Sequence, residues 1–488
     1  MNIISFGKNT LLYAIGIIII RLTTFLLIPL YTHYLSKEQY GLLATLLFTT
    51  EIIITINDIG MRSAFMRFFS DFINKNKLGE LIGSTVILNL LIGLLLFIVA
   101  LIIPDSYIAK LFDIDLIKNV VVFTVLAGTA KTLTLNIISY FRAKNRGGAY
   151  MAISVLSSLL LIAVTWFALV VKDLGIMGVL YSQVFTFGLV WLALLLWIIN
   201  KEGFKTSLNS LSMLLRFGYP LIMATSGGIL VNTAGNYFLG YFRNLEEVAL
   251  FAIAYKIASI SVMVLIAPFQ LAFEPYIFNN KDNPAIKSIL TKIITYITFL
   301  YLVVSIGILI IFKYLVQILG SSDYTNSYAL IFLLLPGFLF TAYNYIGQSL
   351  IHINNKTKTT GLTSFFIVIA SIILTYFLTS SYGTYGAIFG VNFYLIATGI
   401  ILFLLGNKEF PLKIEYKRVM IIFTLGIFLF ISIYYLSFSN DFFFYFLSIF
   451  LSIIFLIGLF ISNFFSEEEK KVIKSWILII NNKFKVRA

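Results

Sequence analysis

Residues 15–29, "IGIIIIRLTTFLLIP", place one arginine in the middle of an otherwise apolar run. The run extends over roughly residues 10–34, and a rise of about 1.5 Å per residue puts Arg21 about 16 Å from either end. A helix of this length and composition crosses a membrane, and its midpoint lies near the middle of the bilayer. A guanidinium group at that depth costs at least about 2.5 kcal/mol. The first helix therefore predicts a membrane protein and a charge that has to be explained by function or by packing.

The composition of the whole chain predicts the same class. The 488 residues are 60% hydrophobic and only 11% charged, and the mean hydropathy is +0.98. About fourteen stretches have the length and composition of membrane helices, so we expect an all-α membrane protein. The absence of cysteine excludes disulfides and thiolate metal sites, and neither of the two histidines has the spacing of a metal ligand. No metal site and no nucleotide cofactor is predicted, because no phosphate-binding motif occurs either.

The loops alternate in charge along the chain. If both termini lie in the cytoplasm, the inner segments, such as 142–146 and 408–418, carry several lysines and arginines, and each outer loop carries at most two. This bias supports the span count and the orientation, and it predicts a multi-pass membrane protein. The net charge of +14 is then mostly a topology signal, and it does not indicate a nucleic-acid partner.

A weak internal repeat divides the chain. The segment "KEQYGLLATLLFTTEIII" from Lys37 aligns with "LEEVALFAIAYKIASISV" from Leu245, and six predicted helices precede each matching point. An even number of helices keeps both copies in one orientation, related by an axis along the membrane normal. We therefore expect two six-helix lobes, 1–205 and 206–410, followed by two further helices in 411–465. Residues 466–488 have an amphipathic pattern typical of a helix on the cytoplasmic leaflet, whose lipids would be its partners.

Four charges lie too deep in the predicted spans to reach the membrane surface: Arg21, Glu51, Lys131 and Lys256. Intramembrane charges usually mark a functional site, although ion pairs that fix helix packing, such as Arg21 with Glu51, are the alternative. The charges within the spans are more often positive than negative. A cavity lined by them would attract an anion, and lysine and arginine are the usual partners of phosphate groups.

Other polar residues in the spans are shallower or uncharged. Asp58 precedes Arg62 by four residues, so the two can pair on one helix. Arg216 and Glu274 lie near predicted cytoplasmic ends, where snorkelling to the interface is an alternative to a role in binding. Four amides are candidates either for contacts with sugar or for interhelical hydrogen bonds: Asn232, Asn236, Asn344 and Gln348.

Two regions of the chain resemble a known family. They are "FGKNTLLYAIGIIIIRLTTFLLIPLYTHYLSKEQYGLLA" followed by "DIGMRSAFMRFF", and "LLRFGYPLIMATSGGILVNTAGNYFLGYFRNLEEVALFAIAYKIAS". Both are similar to the polysaccharide transporter family, which includes Wzx-type O-antigen and capsule flippases, within the multidrug/oligosaccharidyl-lipid/polysaccharide flippase superfamily. Ala249 departs from the pattern, since glycine is more usual in this turn.

The resemblance implies a V-shaped, two-lobed fold with a central cavity lined by helices 1, 2, 7 and 8. It implies alternating access and a substrate of undecaprenyl diphosphate carrying an oligosaccharide, with a polysaccharide polymerase and chain-length proteins as partners. It also implies roles for two residues: Arg21 stands where such proteins often have an arginine, and Lys256 lies in a family-like "AYK".

The sequence therefore predicts a flippase for lipid-linked oligosaccharide in O-antigen or capsule synthesis, without catalytic residues. The candidate substrate-binding cations are Arg21, Lys131, Lys256, Arg62 and Arg216. The candidate carboxylates for coupling to H⁺ or Na⁺ are Glu51 and Asp58.

Three alternatives stay open at this stage. A multidrug antiporter would share the fold, but the positive charge of the cavity argues against it. A membrane polymerase or acyltransferase would need a large external loop or a catalytic histidine, and neither is present. A structural partner in a capsule-assembly complex would leave the buried charges unexplained.

Overall fold

A computed structural model describes residues 3–104, 118–225, 227–280, 283–319, 324, 326–354, 356–437, 440–462, 464–465 and 469–470. Within these residues the chain is helical and contains no strand. Thirteen of the helical segments there are long and apolar enough to cross a membrane. The predicted all-α membrane fold is confirmed, and the predicted amphipathic tail lies almost entirely outside the described residues.

The helices in chain order are α1 (Ile3–Tyr34), α2 (Lys37–Asp58), α3 (Met61–Asn74), α4 (Leu78–Ile102), α5 (Lys118–Ala143), α6 (Gly147–Trp166), α7 (Gly175–Glu202), α8 (Leu208–Thr225), α9 (Gly227–Phe242), α10 (Leu245–Ala258), α11 (Ala267–Asn280), α12 (Ile286–Leu319), α13 (Ser327–Ile353), α14 (Thr357–Tyr382), α15 (Thr384–Glu409), α16 (Tyr416–Leu436) and α17 (Asp441–Ile461). Two π-helical stretches, Phe167–Val171 and Val262–Ile266, extend α6 and join α10 to α11.

One predicted span differs from the structure. The second span, expected over 41–66, is interrupted at Ile59–Gly60 and continues as α3 to Asn74. Hydropathy reports which residues can lie in lipid, and it carries no information on whether the helix through them is continuous.

The interruption between α2 and α3 has an unusual backbone. Ile59 and Gly60 both have positive φ, at 42° and 73°. Glycine adopts this left-handed region freely, whereas a β-branched isoleucine there is strained by about 1–2 kcal/mol. A Cβ on Gly60 would lie 2.5 Å from the carbonyl oxygen of Gly218 in α8, so the two backbones touch. The contact with α8 explains how the strained bend is held in place.

The helix boundaries agree with the internal repeat. Equivalent helix ends are separated by the same number of residues. The separation between the ends of α1 and α9, Tyr34 and Phe242, equals that between the starts of α2 and α10, Lys37 and Leu245. Ser36 and Asn244 cap α2 and α10 through the same type of side-chain hydrogen bond. Both helices are also disturbed at corresponding places, α2 at its C-terminus and α10 before α11. Paired interruptions in the two halves of a transporter-type repeat commonly lie beside the binding site.

The helices pack mainly within two groups. In the first group α1 packs against α6, and α5 lies between α2, α4 and α7. In the second, α13, α14 and α15 pack together, and α9 and α10 lie against them. Contacts between the groups are made chiefly by α2 with α10 and α9, and by α8 with α3 and α4. The helices α16 and α17 pack on each other and, through α16, on α12. The domain limits at residues 205, 410 and 465 stay a prediction.

Many large apolar side chains point outward, as expected for a surface that faces lipid. On α17 the exposed rings of Phe442, Phe446 and Phe450 stack along one face. The two membrane sides are named below according to the orientation that the loop charges predict.

Candidate functional site

The two groups meet most closely where α2 and α10 begin, at the predicted external end. A Cβ on Gly41 would lie 1.8 Å from the carbonyl oxygen of Leu245, so no larger residue fits there without movement. Lys37 Nζ lies 3.2 Å from Glu246 Oε2 beside this contact. Further along α2, the hydroxyls of Thr49 and Tyr237 are 2.7 Å apart. These contacts close the external end between the two groups.

The line of contact between α2 and the second group of helices forms a seam. A cavity of about 250 Å³ lies next to this seam. Its walls come from α1, α2, α5, α6 and α7, and Lys256 of α10 reaches it from the second group. Three of the four deep charges predicted from the sequence line it: Glu51, Lys131 and Lys256. The structure therefore brings together charges from helices far apart in the chain.

Glu51 and Lys131 form a salt bridge inside the cavity. Lys131 Nζ lies 2.7 Å from Glu51 Oε1, and the two side chains are 19% and 44% exposed. Lys256 lies within electrostatic range of both and 5.9 Å from the centre of the Tyr40 ring. Two cations against one carboxylate leave one positive charge, which favours occupation by an anionic group.

The rest of the wall is largely apolar, with a set of small polar side chains. These polar lining residues are Thr23, Thr24, Thr50, Thr134, Ser154, Ser157, Ser158 and Gln183. Most of the hydroxyls donate to a carbonyl one turn earlier in their own helix, as Thr50 does to Leu46, so their oxygens keep acceptor capacity. The volume lies below the roughly 300–1,000 Å³ typical of sites for drug-sized ligands. A phosphate group fits such a space, and an oligosaccharide does not.

Arg21 lies outside this cavity. Its neighbours Ile20, Thr23 and Thr24 line the cavity, whereas Arg21 is exposed on another face of α1. Its charge acts on the phenol of Tyr345 in α13, a helix of the second group. Within the part of the chain that the structure describes, Arg21 forms no salt bridge, and Glu51 pairs with Lys131 instead. The alternative of an Arg21–Glu51 packing pair is therefore wrong.

The four candidate amides divide into two pairs. In α13, Gln348 Nε2 donates to Asn344 Oδ1 over 2.6 Å, and both are half-buried beside Tyr345. In α9, Asn232 and Asn236 are buried, at 3% and 0% exposure. Asn232 and Asn236 cannot contact a glycan in this conformation, because they face the interior of the packed helices.

The shallower charges gather at the cytoplasmic side of the seam. Arg62 Nε, in α3, lies 3.1 Å from Oδ1 of Asp58, the last residue of α2, so the predicted pair forms across the bend at Ile59–Gly60. Arg216 is exposed and lies two residues before Gly218, while Arg62 lies two residues after Gly60. The contact between Gly60 and Gly218 is thus flanked by two cations. The side chain of Glu274 lies outside the described residues.

Sequence reasoning missed two aromatic partners and the polar wall. Tyr40 and Tyr345 were not singled out, because tyrosine is abundant in this chain and membrane interfaces favour it. The wall residues follow no motif. Only the packing of α1, α2, α5, α6 and α7 brings them to one cavity.

Comparisons with known proteins agree with this architecture. Residues 6–281 match the polysaccharide biosynthesis protein family. None of the curated protein sequences matches the chain.

Solved structures show the same fold at low sequence identity. The lipid II flippase MurJ in an inward closed conformation superimposes with a TM-score of 0.69 at 17% identity, over 93% of this chain and 97% of that one. An inward-facing multidrug resistance MATE transporter of the MOP superfamily gives 0.62 at 16%, over 82% and 94%. An outward-facing MATE transporter gives 0.59 at 15%, over 83% and 95%. The family match covers more than half of the sequence, so the chain belongs to the polysaccharide biosynthesis protein family, and the predicted resemblance to a polysaccharide family is confirmed.

Proposed function

We propose that the protein is a flippase that moves a diphosphate-linked oligosaccharide on a polyprenyl carrier across the membrane. The observation that carries the proposal is the charged cavity at the seam, where Lys131 and Lys256 come from the two halves of the chain and share Glu51. A site built from both halves is altered whenever the halves move relative to each other. Family membership and the fold shared with a lipid II flippase support a lipid-linked substrate.

In this mechanism the diphosphate replaces Glu51 as the partner of the two lysines. Charged groups taken out of water have to be paired, so an arriving phosphate oxygen and Glu51 compete for Lys131. Glu51 released from its salt bridge is then free to bind H⁺ or Na⁺, which makes it the better candidate for ion coupling. Asp58 is the weaker one, because it does not line the cavity, so a phosphate bound there would not displace it from Arg62.

The remaining parts of the substrate need other surfaces. The glycan exceeds the cavity and would lie in the gap between the groups, where Arg21, Asn344 and Gln348 are half-buried or exposed. Arg21 would hold the second phosphate or the first sugar from that side. Arg62 and Arg216 would guide the anion at the cytoplasmic entrance, and the polyprenyl chain would stay in lipid.

The proposal includes a biological setting. The glycan would be a precursor of O-antigen or capsule, carried on undecaprenyl diphosphate in a bacterial inner membrane, with a polymerase and chain-length proteins acting downstream. The family match to polysaccharide biosynthesis supports this setting.

The test uses purified protein in liposomes that contain a labelled lipid-linked oligosaccharide. We expect transfer between leaflets by the wild type, loss in Lys256→Gln and Arg21→Ala, and partial activity in Arg21→Lys, because lysine keeps the charge without the planar fork. Lys172→Gln, at an exposed position far from the cavity lining, is the matched control and should transfer normally. Normal transfer by Lys256→Gln would overturn the site, and no transfer by folded wild type under proton or sodium gradients would overturn the function.

A multidrug antiporter is the second candidate, since MATE transporters share the fold over most of this chain. It predicts that a cationic drug binds the cavity and that Glu51→Gln abolishes binding. The flippase predicts that the drug does not bind and that pyrophosphate does.

A further inference from the structure

One residue of the cavity wall has hydrogen-bonding groups that the proposed mechanism does not use. Gln183 of α7 lines the cavity and is only 7% exposed. Among the described residues none forms a hydrogen bond with its side chain, whereas the hydroxyl of the preceding residue, Ser182, donates to the carbonyl oxygen of Gly178. A buried amide without a partner costs free energy, because its oxygen and its N–H groups have given up water. The hydrogen bonds of Gln183 are therefore available to a ligand in the cavity.

Gln183 lies beside Lys131. The helices α5 and α7 pack against each other and run in the same direction, because α6 returns the chain between them. Thr134 Oγ1 of α5 donates to the carbonyl oxygen of Phe187 in α7 over 2.7 Å, which fixes the relative depth of the two helices. Gln183 lies four residues before Phe187. Lys131 lies three residues before Thr134, so the α-carbons of Lys131 and Gln183 differ in depth by only about 1.5 Å.

The two side chains also point to the same space. Both line the cavity, and Lys131 Nζ lies 5.9 Å from the centre of the Phe187 ring, one turn from Gln183 on α7. In both helices the side chains lean towards the helix N-terminus, which is the same direction because the helices are parallel. A ligand held by Lys131 is therefore within reach of the amide of Gln183.

An amide can bind a lysine and a phosphate at the same time. The ammonium group of Lys131 has three N–H donors, and Glu51 Oε1 accepts from one of them. An ammonium group only donates hydrogen bonds, and the oxygens of an ionised diphosphate only accept them. The amide of Gln183 does both, since Oε1 can accept from Lys131 Nζ while Nε2 donates to a phosphate oxygen. Because the amide is neutral, it does so without reducing the positive charge of the cavity.

We propose that Gln183 belongs to the phosphate-binding site and keeps Lys131 in position when the substrate breaks the salt bridge with Glu51. The inference rests on the proposed function and adds to it a residue that selects for the ligand. In the structure Lys131 is oriented by Glu51, 2.7 Å away, and with phosphate bound the amide takes over this role. The ligand that satisfies the whole site is an anion with several acceptor oxygens. A cationic ammonium compound would leave Nε2 of Gln183 without a partner.

The test measures the affinity of the purified full-length protein in detergent for pyrophosphate, by isothermal titration calorimetry. Gln183→Met keeps the length of the side chain and removes both hydrogen-bonding groups. We expect the affinity to fall about tenfold, the usual contribution of one hydrogen bond to a charged group. The thermal unfolding midpoint without ligand should not fall, because the variant removes a buried amide that has no partner.

Gln183→Glu is the second variant. It keeps the shape of the side chain and the acceptor, but it replaces the donor by a negative charge beside Lys131. We expect the affinity for pyrophosphate to fall about a hundredfold, because the added carboxylate cancels the surplus positive charge of the cavity. If Gln183→Met does not fold, Gln183→Glu decides.

Thr186→Val is the matched control. Thr186 of α7 is fully buried, and its hydroxyl also has no partner among the residues described. It lies three residues after Gln183 and does not line the cavity. Thr186→Val should therefore leave the affinity for pyrophosphate at the wild-type value, and its thermal unfolding midpoint should not fall either.

The outcomes separate this inference from the proposed function. Binding by the wild type together with unchanged affinity in Gln183→Met would overturn the role of Gln183 and leave the proposed function standing. A lower unfolding midpoint of Gln183→Met without ligand would also overturn it, since Gln183 would then support helix packing. Absence of pyrophosphate binding by the folded wild type would overturn both the role of Gln183 and the cavity as the phosphate site.

Discussion

Glu51 is the one carboxylate that lines the cavity among the residues described, and its charge sets what the cavity accepts. In Glu51→Gln the excess positive charge on Lys131 and Lys256 doubles. We expect the affinity for pyrophosphate to rise severalfold, because the competing anion is gone. We expect transfer of the lipid-linked substrate to fall at least tenfold and to lose its pH dependence. The reason is that no carboxylate is then present to displace the phosphate from Lys131 when the substrate has to be released. Glu51→Asp is the control, and a fall in pyrophosphate affinity in Glu51→Gln would contradict this role.

The Asp58–Arg62 pair should respond asymmetrically to removal of its two members. The side chain of Asp58 is 11% exposed and that of Arg62 is 41% exposed. Arg62→Gln leaves the buried carboxylate of Asp58 without its counter-ion, and we expect the free energy of unfolding to fall by about 2 kcal/mol. Asp58→Asn leaves a guanidinium that water can solvate, and the loss should stay below about 1 kcal/mol. Denaturant titration in detergent without Na⁺ measures both, and equal losses would show that the burial of Asp58 is unimportant.

Between helices, the contact of α2 with α10 depends on Gly41. A methyl group there meets the backbone of Leu245, so we expect Gly41→Ala to part the helices at the external end. Gly188 of α7 has nothing within 4 Å of an added Cβ, and Gly188→Ala should instead stabilise its helix by about 1 kcal/mol.

The chain lacks cysteine, so a single cysteine in the cavity wall, Phe48→Cys, can report whether the cavity is accessible from outside. A membrane-impermeant thiol reagent added outside should label Phe48→Cys faster with Gly41→Ala than with Gly188→Ala.

The sequence predicts most helix positions, because hydropathy and loop charge act locally. The predicted span 384–405 lies within α15, Thr384–Glu409. The bend at Ile59–Gly60 is not predicted, because it is held by a contact between Gly60 and Gly218, which are far apart in the chain. Among the site residues, depth in the membrane was predictable and partners were not. The burial of Asn232 and Asn236 in this conformation is not predictable, because the sequence does not tell which face of a helix is packed. Their role as glycan contacts stays a prediction.

At the scale of the whole molecule, the two groups of helices have to separate at the external end if the cavity is to open there. The salt bridge between Lys37 and Glu246 joins them at that end. We expect the double variant Lys37→Cys, Glu246→Cys, cross-linked with a short bis-thiol reagent, to stop transfer of the lipid-linked substrate. Reversal with a reducible reagent and normal transfer by each single variant are the controls. Full activity of the cross-linked protein would show that this end does not open.

The salt bridge between Glu51 and Lys131 also bears on how the protein is made. Both residues belong to the first five helices, whereas Lys256 follows more than a hundred residues later. During membrane insertion the carboxylate therefore has a cation within reach before the second half of the chain has been synthesised. The first half can enter the bilayer with this charge already neutralised, and assembly with the second half adds the surplus cation last. Under the proposed mechanism the same ion pair therefore serves twice. It neutralises a charge while the nascent chain is inserted, and the arriving substrate later breaks it.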